Sequence, residues 1–282
     1  MKKDLNLNKK PIEDLLLNIL QKGPILISDL IYSLSKERGN TTKQGVYRVL
    51  RKLNNEEKIV INKKQVSLNL HFIKKMNNFF SLAQYFYISD LSNSNDFLWL
   101  QDSEKISYYF KNLNLLDAFW SHVFYMLNES INIEEPVFFY MPHNWFYYVR
   151  QDTEEVILKD LQEKPRPVYL TIFNNSPLDK DSQISYRKNN IQCNIISKNF
   201  FDKKDFYFSV MGDYILETPV DLNIVKDINK FFENTKVFDE KAKLELLSIV
   251  SKNGRNKLII SRNKKKAEEY RKILSKDFFI KK

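Results

Sequence analysis

A single cysteine, Cys193, rules out a disulfide within this chain, and three histidines scattered at 71, 122 and 143 leave no Cys/His set spaced for a structural zinc. A reducing compartment is the expectation, with no metal and no cofactor. Glycine is nearly as scarce: the 5 present include none in the spacing of a Walker or dinucleotide loop, so no nucleotide cradle of those kinds can be built. No Gly-x-Ser-x-Gly elbow occurs, and Cys193, in an apolar strand-like run, reads as packing rather than as a nucleophile. Long hydrophobic runs are missing too. No stretch of about 18 uncharged apolar residues exists to span a bilayer, and the first ten residues lack the apolar core of a secretion signal. The expected localisation is cytoplasmic, with no membrane partner.

Aromatic residues and charge are plentiful. Hydrophobic residues make up 43% of the 282, with 21 Phe and 15 Tyr, enough for aromatic-rich cores in more than one domain. The net charge of +10 is unevenly spread: residues 1–66 hold 14 basic against 7 acidic side chains, residues 67–251 hold 19 against 25, and residues 252–282 hold 12 against 3. A basic head and tail flanking an acidic middle is the footprint expected when parts of a chain meet a polyanion.

The head holds the most informative stretch. In Thr41–Leu53 the residues Val46, Val49, Leu50 and Leu53 recur at three- and four-residue spacing, which predicts a helix with one apolar stripe. Thr41 or Thr42 can cap it, and Lys43, Gln44, Tyr47, Arg48 and Arg51 then share the opposite face. These are groove chemistries: Arg forks onto guanine, Gln onto adenine, and Lys meets phosphate. A solvated amphipathic face is the alternative reading of the same pattern. Before this helix, Pro11 opens one with the stripe Ile12, Leu15, Leu16, Ile19, Leu20, and Ser28 is placed to cap another that runs to about Lys36. After it, Ile59-Val60-Ile61 and Gln65–Leu68 flank a polar tip containing Lys63 and Lys64, which predicts a hairpin. Helix, helix, recognition helix and basic hairpin form the plan of a winged helix-turn-helix.

Residues Leu16–Pro24, Gly45–Leu53 and Glu56–Val60 carry a further likeness. They resemble the winged-helix regulators of the PadR, MarR and TrmB kinds, in which a Tyr-Arg-x-Leu-x-x-Leu run typically lies on the recognition helix. The resemblance covers about residues 11–70 and implies double-stranded DNA binding by a homodimer. One departure is Glu57-Lys58, where those families often place a glycine before the first hairpin strand.

Downstream, the pattern predicts an aromatic helix from Leu70 to about Ser89 that must be buried, against the rest of the chain or a second copy, and then a polar hinge at 91–96. A hairpin is expected from Phe97–Leu100 and Ile106–Phe110, followed by a helix around Leu115–Leu127. Strands are expected at Val137–Met141, Val168–Phe173 and Ile191–Ile196, with a helix near Glu154–Gln162. A Gly212-Asp213 hairpin, helices near Val225–Glu233 and Lys241–Ser251, a strand at Leu258–Ile260 and a basic helix from Lys264 complete the chain. The fold class is α/β (α+β): a winged helix at residues 1–70, a linker helix and hinge at 71–95, and a mixed sheet-and-helix domain at 96–282. The later elements resemble the phospholipase-D-like domain of some TrmB-type regulators, but without the His-x-Lys that its catalytic members use. The end of the strand at Val137–Met141 offers His143, Asn144 and Arg150 as candidate ligand contacts, and core packing is the competing reading. No catalytic motif is legible, so the expected function is sequence-specific transcriptional regulation, with a small-molecule effector as a candidate partner. The alternatives are a nucleic-acid-processing enzyme or defence or toxin-antitoxin component that uses the winged helix for targeting, and a protein-interaction module.

Overall fold

The computed structural model describes residues 11–39, 41–88, 96–163, 166–189, 191–196, 200–201 and 206–279. They divide between two compact units, residues 1–89 and 90–282, and the hinge expected at 91–96 lies, apart from Asp96, outside the described residues.

The small unit runs α1 (Ile12–Leu20), β1 (Ile25–Leu26), α2 (Ile27–Arg38), α3 (Lys43–Asn55), β2 (Ile59–Asn62), β3 (Gln65–Leu68) and α4 (Leu70–Ile88). Its core is the set of stripes read from the sequence: Leu16 and Leu20, Leu30 and Leu34, then Val46, Leu50 and Leu53, all buried with Ile59 and Val66. Ser28 does not cap α2. That helix begins two residues earlier than such a cap would set, at Ile27 after Leu26, where β1 pairs with β3 and the Ile27 N–H donates to the Lys64 carbonyl at 2.9 Å. The hairpin thus sets where α2 starts.

Within the single chain the aromatic face of α4, expected to be covered by the rest of the chain or by a second copy, stands open. Leu70, Ile73, Phe79, Phe80, Leu82 and Phe86 are all exposed, Phe80 by 62%. The small unit's core is formed by α1, α2, α3 and the hairpin, and none of these exposed residues belongs to it.

The large unit is a seven-stranded mixed sheet with helices on both faces, which makes the chain α/β (α+β). It comprises β4 (Lys105–Phe110), α5 (Leu113–Ser130), β5 (Val137–Met141), α6 (Trp145–Val149), α7 (Gln151–Glu163), β6 (Val168–Ile172), α8 (Pro177–Lys188) and β7 (Gln192–Ile195), then β8 (Phe206–Met211), β9 (Tyr214–Pro219), α9 (Leu222–Asn234), α10 (Glu240–Val250), β10 (Asn256–Arg262) and α11 (Lys264–Leu274). Strand order is β4-β10-β9-β8-β5-β6-β7, parallel across β5-β6-β7 and antiparallel elsewhere. Alternation along each strand sorts two cores. Phe139, Leu170, Cys193 and Leu216 join the larger core with α5 to α10, while Phe138, Tyr140, Tyr169 and Val210 meet Ala267 and Leu274 of α11.

One expectation fails here. Phe97–Leu100 is not a strand: Asp96–Trp99 forms a 3₁₀ turn, with Phe97 and Leu100 buried at three-residue spacing and Trp99 exposed, and β4 pairs with β10 instead of closing a hairpin. Two helices, the short α6 and the longer α8, are not expected from the sequence pattern, and α8 shows why. Its buried face is Leu178, Asp179, Ser182 and Tyr186, too polar to show as an apolar stripe.

Candidate nucleic-acid interface

Thr42 does cap α3, its hydroxyl accepting from the Gly45 N–H at 3.1 Å while its own O–H remains a donor at the exposed helix start. Lys43, Gln44, Tyr47, Arg48 and Arg51 all project exposed from the face opposite Val46, Leu50 and Leu53. Arg51 Nε donates weakly to the Tyr47 carbonyl at 3.4 Å, and its outer nitrogens stay available. At the hairpin tip Lys63 and Lys64 are exposed, Lys63 with a left-handed backbone at φ 55°.

The other cations near this face are engaged. Lys52 Nζ meets Glu13 at 2.6 Å, and Lys58 Nζ meets Glu13 at 3.1 Å and Glu56 at 2.8 Å, tying α1 to the end of α3 and the base of the hairpin. These contacts hold the Glu13 carboxyl below its ordinary range and raise both lysines, mainly through the hydrogen bonds. Along α3 and the hairpin, then, Lys52 and Lys58 are pinned to Glu13, whereas Lys43, Arg48, Arg51, Lys63 and Lys64 form no ion pair among the described residues and stand open to solvent.

In the large unit, the candidate ligand residues His143, Asn144 and Arg150 do not form one site. His143 is buried, stacked on Phe232 with ring centroids 4.3 Å apart. Its Nδ1 lies 2.9 Å from Asp179 Oδ2, and Asn174 Nδ2 lies 3.1 Å from its Nε2. With Asn174 donating to Nε2, the ring's own proton sits on Nδ1 and points at the carboxylate, so both nitrogens are spoken for. The same Asp179 oxygen accepts from Ser176 Oγ at 2.7 Å and from the Ser176 N–H at 3.1 Å in the capping box of α8. This network ties the ends of β5 and β6 to the start of α8. Asn144 is fully buried beside Tyr186.

Arg150 points elsewhere, its Nη1 3.6 Å from Asp117 Oδ2 and its Nη2 3.2 Å from Thr153 Oγ1. Asp117 lines a cavity of about 80 Å³ beneath α5 and α7, walled by Trp120, Phe139 and Trp145 and shared with Glu154 and Ser209. Both acids are more than nine-tenths buried. Burial pushes the Asp117 carboxyl up to about 6 against the pull of Arg150, and burial pushes Glu154 up to about 7 although Tyr186 Oη donates to it at 2.9 Å. Ser209 Oγ is buried with no hydrogen-bond partner.

Sequence alone does not single out Asp179, Asn174, Asp117 or Glu154. A signal for Asp179 is present as Ser176-Pro177-x-Asp179, a capping box with proline at the first helical position. For the two cavity acids the signal is a lone carboxylate beside an aromatic stripe, with nothing in sequence to join residues 117 and 154. Among the described residues no group of three or more His, Cys, Asp or Glu is gathered as for a metal, and no helix is long and apolar enough to cross a membrane.

No protein-family model matches the chain, and neither does any curated protein sequence. Among solved structures the chain is similar to TrmBL2, an archaeal chromatin protein whose structure is described as showing a novel mode of DNA binding, with a TM-score of 0.32 and 11% identity over 97% of this chain and 93% of that one. So distant a likeness assigns neither fold nor partner.

Proposed function

We propose that this chain is a sequence-specific DNA-binding transcriptional regulator, its small unit a winged helix that reads duplex DNA and its large unit a body that senses a signal. The observation that carries the reading is the sorting of charge around α3. Lys52 and Lys58 are pinned to Glu13, while Lys43, Arg48 and Arg51 on one face of α3 and Lys63 and Lys64 at the hairpin tip are exposed and form no ion pair among the described residues. A helix whose exposed face carries Lys43, Gln44, Tyr47, Arg48 and Arg51 has the donors to read base edges in a major groove, and Lys63 and Lys64 are placed to hold phosphate or probe the minor groove. Two copies are proposed to pair through α4, whose exposed aromatics need a cover. The reading includes no hydrolytic chemistry.

Selection of bound fragments from random duplex DNA tests this directly. A palindromic consensus is expected, with half-sites one helical turn apart or a multiple of it. Arg48→Ala should then reduce discrimination between consensus and random duplex by roughly 1–3 kcal/mol, whereas Lys63→Ala should weaken all duplexes alike and lower the salt slope. Equal loss on specific and random DNA for both variants would remove the assignment. Cleavage of the duplex with Mg²⁺, abolished by one carboxylate substitution in the large unit, would replace it with the enzyme alternative.

A further inference from the structure

The cavity under α5 and α7 combines features that a core has no use for. Trp120, Phe139 and Trp145 make its walls apolar, yet Asp117 and Glu154 both open on it, and a buried carboxylate is tolerated only when paired. One cation is supplied for two acids. Arg150 reaches Asp117 at 3.6 Å from outside the lining, and no lysine, arginine or histidine lines the cavity among the described residues. The hydrogen-bond partner of Glu154 is neutral, the Tyr186 hydroxyl. Independently of the acids, Ser209 on the sheet side, 1% exposed, opens on the same space with its hydroxyl unbonded. Ser209 sits opposite Phe139 across the β5-β8 pair, in the middle of the sheet face that α5 and α7 cover.

We propose that this cavity is a binding site for a small apolar amine, taken as its ammonium ion, with the charge held by Glu154 and Asp117 and the hydrocarbon part against Trp120, Phe139 and Trp145. The ammonium is the second counter-charge that the two carboxyls lack. The two acids favour a cation over a neutral isostere and exclude a carboxylate or phosphate. Ser209 Oγ can accept one of the ammonium N–H bonds. A volume of about 80 Å³ limits the ligand to on the order of six heavy atoms. The proposal deepens the sensing half of the functional reading and is independent of DNA binding.

Two of the three tryptophans, Trp120 and Trp145, line the cavity and Trp99 does not, so intrinsic fluorescence of the full chain reports occupancy without DNA. Titration at pH 8 with n-butylamine should give a saturable change, and 1-butanol and butyrate should give none at tenfold higher concentration. Glu154→Gln keeps the volume and an acceptor for Tyr186, and it should weaken butylamine binding at least tenfold. Asp117→Asn serves as a second variant, with circular dichroism confirming that each is folded. Butanol binding as well as butylamine would overturn the charge assignment, and no saturable signal from any of the three would overturn the site. Either failure leaves the duplex-selection result to stand or fall by itself.

Discussion

Glu154 is the residue whose ionisation the fold opposes most plainly. Its carboxyl is pushed from 4.5 in a free chain up to about 7, first by burial and then by the nearby Asp117 charge, against the hydrogen bond from Tyr186. The folded state keeps a proton that the unfolded state has already lost, so the protonated form's stability is fully present below about pH 4.5 and is lost as pH rises through 7. The loss amounts to on the order of 3 kcal/mol. Asp117, raised to about 6 by burial, adds a loss of the same sign in a lower window, from 3.8 to 6. Glu154→Gln should therefore match the parent chain at pH 4.5 to 5 and exceed its stability at pH 8, flattening the fall between them. Urea midpoints at pH 5, 6.5 and 8 measure this, and parallel curves for the two proteins would show that the Glu154 side chain ionises without cost. The residue that keeps the cavity ready for a cation is the one that destabilises the empty protein at high pH.

At the scale of elements, α4 is the piece left unfinished. Its 19 residues span about 28 Å and leave Phe79, Phe80, Leu82 and Phe86 exposed, large apolar side chains grouped near one end, as at an interaction site. A symmetric pair of such helices would bury each aromatic row in the other. Phe79→Glu with Phe80→Glu should convert a dimer to a monomer in light scattering while leaving the circular dichroism of the fold unchanged, because neither ring belongs to the small unit's core. A parent chain that is already monomeric at micromolar concentration would end that proposal. The same helix shows what sequence can and cannot reveal. Its extent is legible from three- and four-residue spacing, as are α1, α3 and the hairpin, because one-sided burial writes a period into the residues. What covers it is not, since a stripe does not name its partner. α8 is illegible for the opposite reason: its buried face is half polar, with Asp179 Oδ2 and Ser182 Oγ held in local hydrogen bonds that carry no hydrophobic signal. The turn before β2 shows a subtler case. Glu57 sits where the regulators it resembles often place glycine, and it adopts the left-handed conformation, φ 56°, that glycine would take freely.

For the whole molecule, the charge distribution separates into used and unused parts. Part of the basic tail is structural. Lys266 meets Glu217 at 3.1 Å, Arg262 donates to the Leu100 carbonyl at 3.1 Å, and Arg271 donates to the Gly212 carbonyl, so α11 is fastened to the sheet and its neighbours as well as packed through Ala267 and Leu274. Truncating residues 263–282 would strip a face from the sheet and test folding rather than nucleic-acid binding. Of the basic side chains on this helix, Lys264, Lys265 and Lys272 are the exposed ones, and the small unit supplies Lys63 and Lys64 without involving the large one. Reversing each set in the full chain compares the two. Lys63→Glu with Lys64→Glu should reduce duplex affinity and lower the magnitude of the salt slope by roughly one for each phosphate no longer neutralised. Lys264→Glu with Lys265→Glu and Lys272→Glu should leave both unchanged, because exposed charges on a packed helix contribute only about 0–1 kcal/mol each to stability and need have no part in groove recognition. Equal losses of affinity from the two sets, measured between about 50 and 200 mM salt, would mean that the polyanion lies across both basic regions, and the recognition would no longer belong to the winged helix alone.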